Sequence, residues 1–245
     1  MITGLDHIAV TASDVEAAAA AFAALLGRQA DWRGGEAWFQ LSNTALRVSA
    51  GASDAVAGLA FDTEDLEADL KLVTRRGLSG DAAGLDVAGI PVRLVAPRAA
   101  WALSPASGRE SAAVAALDHV VVRTGDIDRA VANFGGRLGL DLRLDRSNPA
   151  WGAHQLFFRC GAAVIEFGAS LASPRSDGPD SFGGLAWRVV DPEAAHARLA
   201  DAGFDVSEVR AGRKPGTKVF TVRSGVPGAP SLMIQQGAEA GAGAD

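Results

Sequence analysis

The sequence predicts an α+β fold of four βαβββ modules arranged as two tandem halves, with mixed, curved sheets and the helices outside them. Three observations lead there. Leu5-Asp6-His7-Ile8-Ala9-Val10 returns as Leu117-Asp118-His119-Val120-Val121-Val122, and the offset of 112 residues carries Asp14 to Asp126, Phe22 to Phe134 and Gly27 to Gly139 without a gap. A second pair, Gly58-Leu59-Ala60-Phe61 and Gly184-Leu185-Ala186-Trp187, matches at an offset of 126 and carries Asp65 to Asp191 and Gly77 to Gly203. The extra 14 residues are Ala169-Phe182, a polar loop that only the second half carries. Self-similarity at this scale points to duplicated structural units.

Each element has a local reason. Residues 5–10 are short and β-rich, as a strand covered on both faces should be. Asp14 is placed to cap a helix whose Ala17, Ala21, Phe22 and Leu25 recur at helical spacing, and Gly27 stops it. Strands follow near 36–41 and 44–50, split by a Ser42-Asn43 turn. The order recurs after Ala116: a strand over 117–123, a helix over 126–138 ended by Gly139, then strands near 140–145, 153–159 and 162–168. The second module of the first half reads as abbreviated, with a helix over 66–76, Gly-rich residues and one clear strand, 90–96. Its counterpart reads as fuller, with strands near 205–210, 217–223 and 230–236. Domain limits of 1–98 and 116–236 follow, joined by a Ser/Ala linker over 99–115 in which Trp101 and Leu103 could pack on a neighbouring surface. The small polar tail, 237–245, is expected to be disordered.

Composition narrows the function. With 48% apolar residues the 245-residue chain has ample material for two cores. A formal charge of −6 argues against a nucleic-acid partner, which would call for a basic face. No apolar run approaches the roughly 20 residues of a membrane helix. The first strand begins too early for a signal peptide, and the lone Cys160 has no disulfide partner. The expected setting is the cytoplasm, with a small-molecule ligand and a monomeric or homodimeric state.

The two Leu-Asp-His-Xaa-Xaa-Val strands, together with Val164-Ile165-Glu166-Phe167-Gly168, resemble the vicinal oxygen chelate superfamily. That superfamily contains glyoxalase I, extradiol dioxygenases, methylmalonyl-CoA epimerase, and fosfomycin and bleomycin resistance proteins. The resemblance covers about residues 3–98 and 115–236. It implies that paired modules enclose a trough into which the first and last strand of each module can supply a metal ligand. Read that way, the first-strand positions are His7, Phe61, His119 and Trp187. The last-strand positions are Val48, about Arg93, Glu166 and Met233, with Gln235 one alternation further.

Only His7, His119 and Glu166 in that set bind metals well. Two histidines and a carboxylate would leave open positions on iron, manganese, nickel or zinc, where a substrate's neighbouring oxygens could be polarised. Glu166 could double as a catalytic base. Only a pairing of modules one and three would bring His7 to the other two; any other pairing leaves His119 and Glu166 to recruit Gln155, Gln235, water or substrate. A hydrogen-bonded polar pair in a cavity is the alternative for His119 and Glu166, and a relic of duplication the alternative for His7. His154 is expected to face away from Glu166, His196 to be exposed, and Cys160 to be inert.

Phe61, Trp187 and Met233, with Phe157 and Trp151, could line a pocket for a hydrophobic or aromatic molecule, although core packing is the commoner role of such residues. Arg210, Arg213, Lys214, Lys218 and Arg223 form a basic segment beside Glu208 that could attract an anionic group. The leading expectation is a glyoxalase- or dioxygenase-type enzyme acting on a small anionic organic molecule through a divalent metal. The competing one is a metal-free protein that binds or sequesters a small molecule, as bleomycin resistance proteins do.

Overall fold

The computed structural model describes residues 1–81, 83–98, 102–213, 215–228 and 230–235. Trp101, Lys214 and the predicted tail, 237–245, lie outside them. In the first half the elements are β1 (Ile2–Ala12), α1 (Val15–Leu26), β2 (Asp31–Arg33), β3 (Glu36–Gln40) and β4 (Ala45–Ala50). The second module follows as β5 (Ala55–Thr63), α2 (Leu66–Arg75), β6 (Gly80–Asp81), β7 (Gly84–Val87) and β8 (Ile90–Val95). The second half repeats this with β9 (Val114–Arg123), α3 (Ile127–Ala130), β10 (Asp141–Asn148), β11 (Ala153–Cys160) and β12 (Ala163–Ser170). It ends with β13 (Ser181–Val189), α4 (Pro192–Asp201), β14 (Arg210–Ala211), β15 (Lys218–Val222) and β16 (Ser231–Gln235).

Neighbouring modules pair. One eight-stranded sheet has the order β2-β3-β4-β1-β5-β8-β7-β6, and the other has β10-β11-β12-β9-β13-β16-β15-β14. Modules one and two thus share a sheet, joined by antiparallel β1 and β5, and modules three and four are joined by β9 and β13. Module two is less abbreviated than its sequence suggests, because Gly80–Asp81 and Gly84–Val87 still pair in front of β8.

The four helices start alike. Asp14, Asp65, Asp126 and Asp191 each accept a hydrogen bond from the backbone N–H three residues on, the usual means of satisfying a helix's first free donors. Gly27 closes α1 in the left-handed conformation, φ 65°, where a Cβ would be strained. The helix predicted over 126–138 instead changes after Ala130 into a π-helix, Val131–Arg137. Gly135 and Gly136 lie in that wider turn, and Arg137 bonds back to Asn133 Oδ1 at 2.8 Å.

One face of each sheet carries the core. In the second half Val120, Val122, Ile165, Phe167, Trp187 and Met233 bury themselves with Phe134, Ala195 and Leu199 from the helical segments. Phe134 meets Phe167 edge-on at 4.6 Å. Gly58 and Gly184 recur because β5 and β13 run close against a proline at the last strand of the same module. A Cβ there would lie 2.8 Å from the Pro91 carbonyl oxygen and 3.0 Å from that of Pro230.

The segment joining the halves is tightly held. Arg28, fully buried, donates from Nε to the Val114 carbonyl at 2.5 Å, from Nη1 to that of Ser104 at 2.7 Å, and from Nη2 to Glu110 at 2.5 Å. Arg198 of α4 reaches the carbonyls of Ala24 and Leu25, the end of α1 in the other half, where a cation also suits the helix dipole. The loop unique to the second half returns to the first, with Asp180 N–H donating to the Ala88 carbonyl at 2.7 Å.

Removing the Arg28 guanidinium while keeping its stem would leave buried carbonyls unpaired. Arg28→Met is expected to cost about 3 kcal/mol in a urea melt; a loss below about 1 kcal/mol would mean that Arg28 does not anchor the connection.

Candidate active site

The repeated Leu-Asp-His phrase carries one residue more than its partner strand can match. In β9, Leu117 faces Trp187 and His119 faces Ala186, so Asp118 has no opposite number. In β1, Leu5 faces Phe61 and His7 faces Ala60, which leaves out Asp6. Such a bulge bends the strand and re-aims its side chains. Here it turns each aspartate onto the histidine that follows. His119 Nδ1 lies 2.8 Å from Asp118 Oδ2, and His7 Nδ1 lies 2.5 Å from Asp6 Oδ2.

Each aspartate also takes an arginine on its second oxygen. Arg188 Nε donates to Asp118 Oδ1 at 2.7 Å, and Arg98 Nε donates to Asp6 Oδ1 at 2.5 Å. Burial opposes ionisation of Asp118, but the bonds from His119 and Arg188 outweigh it and hold the carboxyl down at about 2. Asp6 is likewise held below its usual range against the cost of burial, by His7 and Arg98. The arginines come from different places. Asp62, which stands in the first half where Arg188 stands in the second, is a carboxyl that burial and the nearby Asp6 push up to about 6.

An ionised carboxylate can only accept, so the Nδ1 of His119 carries a proton and its Nε2 faces the other way. There it meets Glu166 Oε2 at 3.2 Å. Gln155 Nε2 donates to Glu166 Oε1 at 2.7 Å, and Arg146 Nη2 reaches Gln155 Oε1 at 3.4 Å. Arg146 stacks over Trp151 at 4.9 Å, and Arg213 stacks over the same ring at 4.3 Å. β10 and β14 are the opposite edges of this sheet, so the sheet curls far enough for the residues following its two edge strands to meet around Trp151. A continuous polar chain therefore runs from Arg188 through Asp118, His119, Glu166 and Gln155 to Arg146.

The predicted site residues divide. His119, Glu166 and Gln155 are in contact, Phe157 stands directly opposite Glu166 in the β11–β12 pair, and Arg213 joins them through Trp151. Lys214 lies outside the described residues. Trp187 and Met233, expected in the trough, are fully buried in the core beneath the helices, and Phe61 is buried in the same way in the first half. The bulge shifts the phase by one residue, so the position across from His119 is Ala186, followed by Leu232. Gln235 shares the alternation of Met233 and pairs with core Val189, away from Glu166. His7 lies in the other sheet, because module one pairs with module two. There the counterpart of Glu166 is Arg47 rather than Val48: His7 faces Ala45 as His119 faces Val164, two residues before each.

The remaining candidates lie elsewhere. His154 bonds Asp145 Oδ1 at 2.6 Å. His196, expected to be exposed, is half-buried with its ring on Phe220 at 5.3 Å. Burial pushes the Cys160 thiol well above its usual range. Sequence reading passed over Asp118, Arg188 and Arg146. The recurrence of Asp before each His was the available signal for the first of these.

The donors suit a resident metal poorly. Of the four positions that could ligate from this face, His119 and Glu166 have ligand atoms and Ala186 and Leu232 have none. Among the described residues no three His, Cys, Asp or Glu side chains gather to hold an ion. What the arrangement can do directly is share a proton. The 3.2 Å contact of Nε2 with a carboxylate needs one between them, either on the imidazole or on Glu166.

The depressed Asp118 carboxyl makes a pH prediction. A folded pKa of about 2 against 3.8 contributes about 2 kcal/mol that is present above the unfolded value and lost as pH falls toward 2. Asp118→Asn is expected to be less stable than the parent at pH 7, with the gap closing below pH 4. A gap that persists unchanged at pH 2.5 would contradict this.

Comparison with known proteins places these features. Residues 118–221 match the Glyoxalase/Bleomycin resistance protein/Dioxygenase superfamily. A comparison with curated protein sequences finds no match. Among solved structures, a variant of 4-hydroxymandelate synthase from Streptomyces coelicolor is similar, with a TM-score of 0.75 at 16% identity, over 99% of this chain and 95% of that one. A 2,2',3-trihydroxybiphenyl 1,2-dioxygenase from Sphingomonas wittichii strain RW1 gives 0.71 at 17% identity, over 97% and 91%. A catechol 2,3-dioxygenase gives 0.71 at 15%, over 99% and 90%. No helix among the described residues is long and apolar enough to cross a membrane. The chain carries the vicinal oxygen chelate fold through both halves, and most of its second half matches the family model of the glyoxalase, bleomycin resistance protein and dioxygenase superfamily.

Proposed function

We propose that the second half is the active site of a dioxygenase-like superfamily member that moves a proton on a small anionic organic molecule. The observation that carries this is the imidazole of His119 fixed between two carboxylates, Asp118 at 2.8 Å and Glu166 at 3.2 Å. With Asp118 ionised and held by Arg188, the proton shared by His119 and Glu166 is the one free to move. In the state with that proton on Nε2, Glu166 is a base. It would take a proton from a carbon beside a carbonyl, while the electron pair moves onto the carbonyl oxygen and His119 Nε2–H donates to it. Return of the proton to the same or the neighbouring carbon completes an epimerisation or isomerisation, with no oxidant consumed.

The surroundings suit such a substrate. Arg146 and Arg213 offer cations on either side of this site's Trp151, and a planar guanidinium recognises a carboxylate well. Phe157, beside Glu166, and the exposed ring of Trp151 offer apolar surface for an aromatic or hydrophobic part. 4-Hydroxymandelate and catechol, named for two of the similar structures, each carry an aromatic ring.

A second reading gives the same two side chains a divalent metal, such as iron, manganese, nickel or zinc. It is favoured by the carboxylate on His119 Nδ1, which also orients metal-binding imidazoles. It would need a third donor, and Gln155 is the nearest. A third reading, a protein that only sequesters a ligand, gives the relay from Arg188 to Glu166 no task.

Proton exchange separates these readings. In deuterated buffer, NMR of a panel of 2-oxo acids and α-hydroxy ketones is expected to show loss of a carbon-bound proton with at least one member. Glu166→Gln and His119→Asn should each slow that exchange by about 10²–10⁴-fold, with Asp118→Asn in between. Stoichiometric metal in protein purified without chelator, lost together with turnover in both variants, would replace this proposal by the metal reading. Tight binding of panel members without exchange would replace it by sequestration.

A further inference from the structure

We infer that the first half holds a second, separate site, built to bind a small oxyanion such as phosphate or a short carboxylate. The duplication supplies the comparison. In the second sheet the four matched positions on this face are His119, Glu166, Ala186 and Leu232, and the same pairings in the first sheet place His7, Arg47, Ala60 and Arg93 there. All four line one cavity of about 170 Å³, together with Gly58 and Pro91. Where the second half has a carboxylate and a leucine, the first half therefore has two guanidiniums.

The charged side chains that line this cavity are Arg47 and Arg93, and no acid lines it. Arg47 bonds Glu36 through Nε, at 2.8 Å to Oε2, and through Nη2, which neutralises that pair and fixes the guanidinium. Arg93 uses Nε and Nη2 on the Ala83 carbonyl, at 3.2 and 3.0 Å, and brings no acid with it. Both arginines keep Nη1 for a further acceptor. His7 uses Nδ1 on Asp6, whose charge Arg98 balances, so its Nε2 is the ring atom left for a ligand. The ring of Trp38 lies next to two of these residues, 5.0 Å from His7 and 5.7 Å from the Arg47 carbon.

Size sets the ligand. Drug-sized molecules occupy about 300–1,000 Å³, whereas this cavity matches a few waters' worth of volume or one compact anion. Two guanidiniums and an imidazole are acceptor-seeking groups in a cleft, where cations of one sign concentrate anions and bond them strongly. A metal cation is disfavoured by the same residues.

Full-length protein titrated with inorganic phosphate, and separately with acetate, at constant ionic strength tests this. The readout is the indole N–H NMR signal of Trp38, assigned by its absence in Trp38→Phe. A saturable shift with phosphate, acetate or both is expected, and which anion saturates identifies the source. Arg93→Gln should weaken it about tenfold or more, while Glu166→Gln should leave it unchanged because it lies in the other sheet. Arg47→Gln releases Glu36 into the cavity and should abolish it. No saturation with either anion, saturation equal in Arg93→Gln, or a shift lost in Glu166→Gln would each overturn the inference.

Discussion

An aspartate that its neighbouring strand cannot match fixes the imidazole that follows it, and the chemistry proposed for the second half rests on that contact. The bulge at Asp118 turns a carboxylate toward His119 that regular alternation would send to the opposite face. Arg188 keeps that carboxylate charged, so His119 must present Nε2 to the trough. Without the bulge, His119 would meet Glu166 with either nitrogen and in either tautomer. With it, one orientation is left, and a single proton lies between imidazole and acid.

The same bulge persists in the first half, with the same aspartate–histidine contact and an arginine on the far oxygen. Everything around it has diverged. Arg47 replaces the acid, Arg93 replaces Leu232, and Trp38 takes the place of Phe157. The backbone device survived while the side chains in front of it changed sign. A duplicated fold can hold two kinds of pocket because the strands fix where side chains project, and single substitutions decide what they project. The halves do not drift apart structurally, since Arg28 and Arg198 tie backbone carbonyls across the junction.

Much of the fold was legible as repetition. The aspartate caps, the stop at Gly27 and the glycines facing Pro91 and Pro230 all recur because each answers a local demand of helix or strand geometry. The identity of the central pair was legible too, since His119 and Glu166 are polar residues within apolar strands. The phase of the flanking strands was not. Trp187 aligns with His119 when residues are counted, yet the bulge displaces the count by one and sends Trp187 into the core. Counting assumes unbroken alternation, and a bulge is where it breaks.

The sequence by itself determined two duplicated halves, the strand and helix order within each, and which few residues could take part in chemistry, because these follow from local pattern and side-chain type. Tertiary structure decided that module one joins module two, which parts His7 from His119. It also decided that Arg188 and Arg98, from unrelated positions, meet equivalent aspartates, and that Trp151 draws the two edges of the second sheet together. These depend on which strands lie side by side and on where one of them gains a residue. That information resides in hydrogen bonds between distant segments rather than in any stretch of neighbouring residues.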